Sequence, residues 1–380
     1  MNVKKQEKNK LEEHEIEGKK DIAKRVFEIS KNIAHQIENN HSPTFTTRVR
    51  GYSNVYFDEK NNFIQLGDKK VTRPFLNLGA ARKFMQTVLV NDKCYDYLIH
   101  DKTASIREIY YELKRTVEGT KENTFDAQEE SNDVIVDIEH SVNTIREKLG
   151  LHADPKGSLY GDITLIDKKH DNDEFNCSTL GRGGWSIMSR LEPEEIEIKE
   201  VNADYVLVIE TSAMYGRLIE ERFTKENRAI LIGTGGQAAR GTRRLIHRLR
   251  YEFNLPVIVF TDGDPYGWYI FSVIKSGSMA LAAHSKYLAV PDAEYVGMTL
   301  TDVETYGLQN VTEKMKDGDI KRAKELMKYD WFNTPGWQKE LKIALDKKIR
   351  IEQQALANKS LDFVAKKYLP EKIKNKIFVK

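Results

Sequence analysis

The strongest constraint on the fold is a regular alternation of strand-like and helix-like segments in the second half of the chain. Short apolar runs predict strands and amphipathic stretches predict helices, in the order strand 205–210, helix 215–225, strand 228–233, helix 239–250, strand 255–260 and helix 267–275. This alternation is typical of a parallel sheet with helices packed on it. The sequence therefore predicts a Rossmann-like α/β domain, with a further strand near 294–298 and a long closing helix at about 337–357.

Acidic residues follow two of the predicted strands. Glu210 comes directly after the run YVLVI, and Asp262 and Asp264 lie in TDGDP, directly after LPVIVF. Ligands of open α/β sheets bind at the carboxyl ends of the strands. Two carboxylates separated by one glycine repel each other unless a cation lies between them, and Mg²⁺ is the hard, oxygen-seeking ion that suits them. The three acids are thus candidate metal ligands, with a plain Asp-Gly-Asp-Pro turn as the other interpretation.

The first 150 residues have a different pattern. Residues 1–20 are charged and aperiodic, which predicts a flexible tail, and residues 21–37 have the apolar spacing of an amphipathic helix. Alternating residues at 44–72 predict a small β-ribbon, and helical spacing returns at 78–91, 105–116 and 131–148. This α+β pattern fits a winged-helix (CAP-like) domain over 21–150, although periodicity alone does not distinguish it from other small α+β folds. The sequence HADPKG at 152–157 predicts a linker before a second domain at 158–380.

A pair of adjacent tyrosines lies on one of these predicted helices. Ser105 and Glu108 have the spacing of a capping box at its start. Tyr110 continues the apolar stripe of the helix, whereas Tyr111 is rotated about 100° away from it. The neighbours of Tyr111 at three and four residues are mostly cationic: Arg107, Glu108, Lys114 and Arg115.

This placement suits Tyr111 to nucleophilic chemistry on a phosphodiester. A free phenol has a pKa of about 10, so little of it is ionised at neutral pH. Guanidinium and ammonium groups nearby favour the phenolate and also hold phosphate oxygens. The alternative interpretation is an amphipathic tyrosine lying on a helix surface.

An arginine-rich helix is predicted after the glycine-containing sequence GTGGQ at 233–237. Residues 237–251 contain no acid, and four arginines share one helical face: Arg240, Arg243, Arg244 and Arg248. Charge runs are usually solvated, but an unbalanced basic stripe beside a metal site suits a polyanion backbone. We therefore expect these arginines, with Lys114 and Arg115, to bind DNA. No Gly-Lys-Ser/Thr follows the glycines, so the loop is not a nucleotide P-loop.

Composition limits the class of protein further. A net charge of +2 on 380 residues excludes a general polycation, so any nucleic-acid surface must be local. Cys94 and Cys177 lack metal-ligand spacing and predict free thiols in a reducing compartment. The N-terminus lacks the apolar core of a signal peptide, and no apolar run approaches the length of a membrane span. We expect a cytoplasmic protein with no membrane partner.

Several motifs together resemble a known family. The segments SIREIYY, RGYSNVYFDEKNNFIQLGD, GGQAARGTRRL, TDGDPYGWYI and EQQALANKSLDFVAKKYLPEKI resemble the A-subunit family of DNA topoisomerase VI, a type IIB topoisomerase. The resemblance covers nearly everything after about residue 20. The meiotic double-strand-break protein shares the tyrosine segment, but the length and C-terminus of this chain are closer to the archaeal-type family members.

The resemblance implies a fold and a chemistry. The second domain would be a Toprim domain whose Glu210, Asp262 and Asp264 hold Mg²⁺. Tyr111 would be the nucleophile, assisted by Arg107, and would cleave and rejoin DNA through a 5′-phosphotyrosyl link. The partners would be double-stranded DNA, a second copy of the chain, and an ATPase B subunit that binds the ATP of an A₂B₂ assembly. Such a protein would be associated with the nucleoid.

Two alternatives remain open at this point. A break-forming protein would share the chemistry without resealing the break. A non-catalytic winged-helix DNA-binding regulator would leave the three acids unexplained.

Overall fold

The computed structural model describes residues 18–380, which form two compact units. The first comprises the described residues up to Asn54 together with Gly67–Asp154, and the second comprises Val55–Leu66 and Pro155–Lys380. The boundary after Asp154 lies within the predicted linker, but the segment 55–66 belongs to the second unit rather than to the predicted domain 21–150. Most of the predicted tail lies outside the described residues, and the first helix begins at Lys19 rather than at residue 21.

The first unit combines helices with a short antiparallel ribbon. Its helices are α1 (Lys19–Glu38), α2 (Leu78–Ile99), α3 (Ile106–Leu113) and α4 (Gln128–Val142). Its ribbon pairs β1 (Thr44–Arg48) with β4 (Lys70–Pro74), and β5 (Ala104–Ser105) pairs in parallel with β6 (Leu151–His152). Apolar side chains of α1 to α4 form one core in this unit.

The second unit begins with a hairpin that lies early in the chain. Strands β2 (Val55–Asp58) and β3 (Phe63–Leu66) pair antiparallel. Ile64 is fully buried and packs in a small apolar cluster with Leu66 and Ala282. The hairpin is thus part of the core of the second unit.

The remaining strands of the second unit form two sheets and a short ribbon. They are β7 (Ser158–Tyr160), β8 (Ile163–Asp167), β9 (Asp173–Asn176), β10 (Trp185–Ser186), β11 (Ile196–Val201), β12 (Tyr205–Ile209), β13 (Ala229–Gly233), β14 (Val257–Phe260), β15 (Glu294–Gly297), β16 (Glu313–Lys314) and β17 (Ile349–Arg350). The six-stranded sheet has the order β10-β7-β13-β12-β14-β15, and β8, β9 and β11 form an antiparallel sheet beside it. Four neighbouring strands of this sheet, β13, β12, β14 and β15, are parallel, and the sequence predicts this arrangement for the first three.

Helices connect and cover these strands. They are α5 (Ser212–Glu220), α6 (Phe223–Asn227), α7 (Arg240–Glu252), α8 (Pro265–Ser276), α9 (Ser285–Leu288), α10 (Leu300–Thr305), α11 (Asp317–Leu326), α12 (Pro335–Lys347) and α13 (Leu369–Lys374), with a π-helical turn at Val364–Tyr368 and short 3₁₀ turns at several junctions. Strands β12, β13 and β14 are apolar throughout because both of their faces are covered.

The prediction of a long closing helix at 337–357 is wrong for the second half of that range. Helix α12 ends at Lys347, and Lys348 adopts a left-handed conformation with φ of 52°. Strand β17 and a 3₁₀ turn at Gln353–Asn358 follow instead. This change of direction returns the chain to the carboxyl edge of the parallel sheet, because Ile351 pairs with Gly263 after β14.

Candidate active site

The parallel sheet places two of the predicted acids side by side. Strand β12 lies between β13 and β14, so the strand order reverses there, and Ile209 at the end of β12 is in register with Phe260 at the end of β14. The residue that follows β12 is Glu210, whose carboxylate Oε2 accepts a hydrogen bond of 2.9 Å from the backbone N–H of Asp262. The reversal point of an open α/β sheet is its usual ligand-binding position.

Asp264 lies in the same loop but has a structural partner of its own. It is the N-cap of α8, and its Oδ1 accepts a hydrogen bond of 2.7 Å from the backbone N–H of Gly267. Its Oδ2 lies 3.6 Å from a guanidinium nitrogen of Arg350. Pro265 at the first helical position suits the start of a helix, so the Asp-Gly-Asp-Pro sequence begins α8.

Burial raises the pKa values of all three acids. Burial, followed by the charge of Asp262, raises the pKa of Glu210 to about 8. Burial raises the pKa of Asp262 to about 6, with the charges of Asp264 and Glu352 adding to the shift. Burial also raises the pKa of Asp264 above its ordinary value. Three acids held this way favour a cation, which would stabilise their ionised forms.

The carboxylate oxygens of these acids suit a Mg²⁺ that keeps bound waters better than a cation enclosed entirely by protein ligands. Within residues 18–380, no three Asp, Glu, His or Cys side chains are already arranged as a complete set of metal ligands. Glu210 and Asp262 lie together, each with one carboxylate oxygen in a hydrogen bond to a backbone N–H, whereas Asp264 is turned toward α8 and Arg350. Mg²⁺ usually keeps several waters and takes only one or two protein carboxylates beside phosphate oxygens. The donor set therefore fits that ion.

The segment 349–353 contributes to this edge, and the sequence interpretation missed it. The backbone N–H of Gly263 donates to the carbonyl of Ile351 at 2.7 Å, and the backbone N–H of Gln353 donates to Asp262 Oδ1 at 2.8 Å. The signal was the alternation Ile349, Arg350, Ile351, which is typical of a strand rather than of a helix.

The first unit places Tyr110 and Tyr111 in opposite environments. Ser105 and Glu108 form the predicted capping box at the start of α3. The ring of Tyr110 is buried, and its hydroxyl donates to the carbonyl of Asp126 at 3.0 Å. Tyr111 is 64% exposed. The helical phase predicted for this pair is confirmed by their burial.

The cationic surroundings predicted for Tyr111 are only partly present in the structure. Arg107 is exposed on α3, one turn before Tyr111. Helix α3 ends at Leu113, so Lys114 and Arg115 lie beyond the helix and do not continue its face. The Lys114 ammonium group donates to the hydroxyl of Tyr110 at 2.9 Å, and this hydrogen bond raises the pKa of Lys114. Lys114 therefore supports the inner tyrosine.

The structure contradicts the prediction of a solvent-facing arginine stripe on α7. All four of its members are buried: Arg240, Arg243, Arg244 and Arg248. The Arg244 guanidinium makes two hydrogen bonds to the carboxylate of Glu192, at 2.8 and 3.0 Å. Arg248 donates to the carbonyls of Leu191 and Ile196 and pairs with Glu252.

The physical reason is a partner that lies far away in sequence. Helix α7 contains no acid before Glu252, but the segment carrying Glu192 packs against it. That packing is close, since a Cβ at Gly241 would lie 2.2 Å from the carbonyl oxygen of Met188. The arginine side chains of α7 therefore face the interior of the second unit.

The parallel sheet with acids at its reversal point and the separate unit with an exposed tyrosine fit the class of DNA topoisomerases, and comparisons with known proteins show this class. The family model for the Toprim domain of the topoisomerase 6 A-subunit and Spo11 proteins matches residues 205–373, and that for type IIB DNA topoisomerase matches residues 82–151. The chain is 50% identical to the A-subunit of the type 2 DNA topoisomerase 6 of Pyrococcus horikoshii, over 93% of this chain and 94% of that one.

Two further relatives carry the same name. The protein of Pyrococcus abyssi is 49% identical over 93% of this chain and 94% of its own, and that of Sulfurisphaera tokodaii is 38% identical over 96% and 97%. The chain belongs to the A-subunit family of the type IIB DNA topoisomerases. Among residues 18–380, no helix is long and apolar enough to cross a membrane.

Proposed function

We propose that Tyr111 is the nucleophile with which this topoisomerase chain cleaves and rejoins double-stranded DNA. Its phenolic oxygen attacks a backbone phosphorus and forms a phosphotyrosyl bond to the 5′ end, while the bond from phosphorus to the 3′ oxygen breaks. The phenol gives up its proton and the 3′ oxygen gains one, leaving a 3′-hydroxyl. The observation that carries this proposal is the exposure of Tyr111 beside a buried Tyr110.

Arg107 is proposed to hold a phosphate oxygen of the DNA beside Tyr111. It lies one turn earlier on the same face of α3 and is exposed. A guanidinium group is suited to a phosphate oxyanion and also favours a phenolate. Arg115 is exposed just beyond the helix and is proposed as a further phosphate contact, whereas Lys114 is engaged with Tyr110.

Glu210 and Asp262, with Asp264 beside them, are proposed to hold Mg²⁺. A bound Mg²⁺ would supply charge stabilisation for the phosphate and the leaving oxygen. The proposal is supported by the raised pKa values of the three acids and by their position at the reversal point of the sheet. Arg350 offsets part of the charge of Asp264.

The assembly follows from the reaction. Cutting two strands takes two tyrosine nucleophiles and each chain supplies one, so we propose a twofold homodimer. The relatives are named as A-subunits, which supports a B subunit; we propose that it is an ATPase and completes an A₂B₂ complex. The first unit would be the winged-helix (CAP-like) DNA-binding domain, and the protein would be associated with the nucleoid.

Trapping the covalent intermediate tests the nucleophile. Tyr111→Phe should give no protein-linked 5′ ends when incubated with supercoiled DNA, Mg²⁺ and the ATPase partner. Tyr110→Phe is the matched control; it loses the hydroxyl contacts to Lys114 and Asp126, at a cost of about 1 kcal/mol in stability, and should retain cleavage. Adducts formed by Tyr111→Phe would exclude Tyr111. Adducts in the unaltered protein that never reseal would favour the break-forming alternative.

A further inference from the structure

The loop that carries Asp262 is clamped by a segment nearly a hundred residues later in the chain. Gly263 and Ile351 form a β-bridge with hydrogen bonds in both directions, at 2.7 and 3.2 Å. A Cβ at Gly263 would lie 2.6 Å from Cγ2 of Ile351, so this close approach requires glycine. The position of the Asp262 loop thus depends on the segment 349–353.

Gln353 is the residue of this segment with the most contacts at the acidic edge. It is fully buried. Its Nε2 donates to the carbonyl of Phe260, the last residue of β14, at 2.9 Å. Its Oε1 accepts from the hydroxyl of Thr211 at 2.9 Å and from the Thr211 backbone N–H at 3.3 Å.

These contacts connect the two strands that deliver the acids. Thr211 directly follows Glu210, and Phe260 precedes Asp262 by two residues. The backbone N–H of Gln353 also donates to Asp262 Oδ1, which leaves Oδ2 as the other oxygen of that carboxylate. The buried side-chain amide of Gln353 therefore hydrogen-bonds to the backbone or side chain of residues beside both acids. The backbone N–H of Gln353 orients the carboxylate of Asp262.

We propose that Gln353 is a positioning residue for the metal site, one that sets the separation of Glu210 and Asp262 so that both carboxylates can hold one divalent cation. The strands β12 and β14 are paired as far as Glu210, whose backbone N–H donates to the carbonyl of Phe260. Like charges repel each other beyond that last bond, where the Gln353 amide adds a link between Thr211 and Phe260. Partners that orient metal ligands commonly contribute 10- to 100-fold to metal affinity. This inference rests on the proposed function of the acidic edge.

The principal test uses an isosteric change. Gln353→Met keeps the volume of the side chain and the backbone hydrogen bond to Asp262, but it removes the amide contacts to Phe260 and Thr211. Mn²⁺ binding to the purified chain without DNA, followed by electron paramagnetic resonance and displaced by Mg²⁺, should weaken by about tenfold. Circular dichroism melting in EDTA measures the loss of stability separately.

Gln338→Met is the matched control for loss of an amide. Gln338 lies in the same unit, is half-buried and donates to a backbone carbonyl, that of Phe332, at 3.1 Å. This variant should lose some stability, less than Gln353→Met, and keep the Mn²⁺ affinity of the unaltered protein. Equal weakening of Mn²⁺ binding in both variants would overturn the positioning role.

Thr211 provides a second test of the same link, one that does not depend on how well Gln353→Met folds. Thr211→Ser keeps the hydroxyl that donates to Gln353 and caps α5, and should keep the affinity, whereas Thr211→Val loses both bonds and should weaken Mn²⁺ binding. Unchanged binding in both Gln353→Met and Thr211→Val, with a normal unaltered protein, would refute the inference alone. Absence of Mn²⁺ binding to the unaltered protein would refute the proposed metal site itself.

Discussion

Asp264 is both a helix cap and one of three acids at the sheet edge, and two substitutions separate these roles. Asp264→Asn keeps an N-cap of equal quality for α8, whereas Asp264→Ala removes the bond to Gly267. Urea denaturation should show a loss of about 1 kcal/mol for Ala and clearly less for Asn. Both variants should lose DNA cleavage if the carboxylate charge acts with Mg²⁺. Full cleavage by Asp264→Asn would restrict Asp264 to the cap.

Arg244 is held by a buried ion pair, so its loss should affect folding rather than DNA binding. Arg244→Met leaves Glu192 buried without that pairing guanidinium, which should cost about 3–5 kcal/mol in urea denaturation. The double variant Arg244→Met with Glu192→Leu should regain most of that loss and keep the salt dependence of DNA binding. Lys199→Met, which breaks an exposed pair with Glu174, is the control and should cost at most about 1 kcal/mol. A shallower salt dependence in the double variant would return Arg244 to the DNA surface.

Helix α7 should make the second unit sensitive to acid through His247. Burial, reinforced by the positive charge of Arg244, lowers the pKa of His247 to about 3, against an ordinary value near 6.5. Between these two pH values the unfolded chain binds a proton that the folded chain does not. Stability therefore falls as the pH falls from about 6.5 toward 3, by up to about 1.4 kcal/mol per pH unit.

The variant His247→Gln tests whether this histidine causes the loss of stability at low pH. Urea midpoints measured from pH 7 to pH 4.5 should fall less steeply for His247→Gln than for the unaltered protein. The control is His170→Gln: a hydrogen bond to Asp173 raises the pKa of this exposed histidine, so its removal should not flatten the profile. Parallel profiles for His247→Gln and the unaltered protein would show that another group controls acid unfolding.

The same elements show what local sequence can predict. The parallel strands and the phase of α3 follow from apolar periodicity alone, because that period reflects which face is buried. The inward face of α7 could not be predicted in this way, since its partner Glu192 lies 52 residues before Arg244. Likewise, the end of α12 at Lys347 depends on the pairing of Ile351 with Gly263, which no window around residue 350 contains. The acids, and a strand-like alternation at 349–351, are visible in the sequence, but the pairing that brings this segment to the acids is not.

For the whole molecule, the hairpin β2–β3 changes how the chain can be divided. The chain passes between the two units after Asn54, after Leu66 and after Asp154. A fragment beginning at Pro155 lacks the hairpin, and with it the ring contact of Phe57 to Trp331 and the buried Ile64. We expect this fragment to melt at a lower temperature and to aggregate more than the same fragment with residues 55–66 added by a linker. Identical melting of the two fragments would show that the hairpin adds nothing to the second unit.

The hairpin shared between the two units has a consequence for limited proteolysis. One cut in the exposed stretch 154–156 breaks the last of these crossings, yet residues 55–66 stay packed in the second unit while still bonded to the first at both ends. The nicked protein should run as two bands on a denaturing gel and as one species on a sizing column. In evolutionary terms, two units joined in this way cannot be exchanged by a single crossover at the linker, because the second unit would then pack against a hairpin inherited from the other parent.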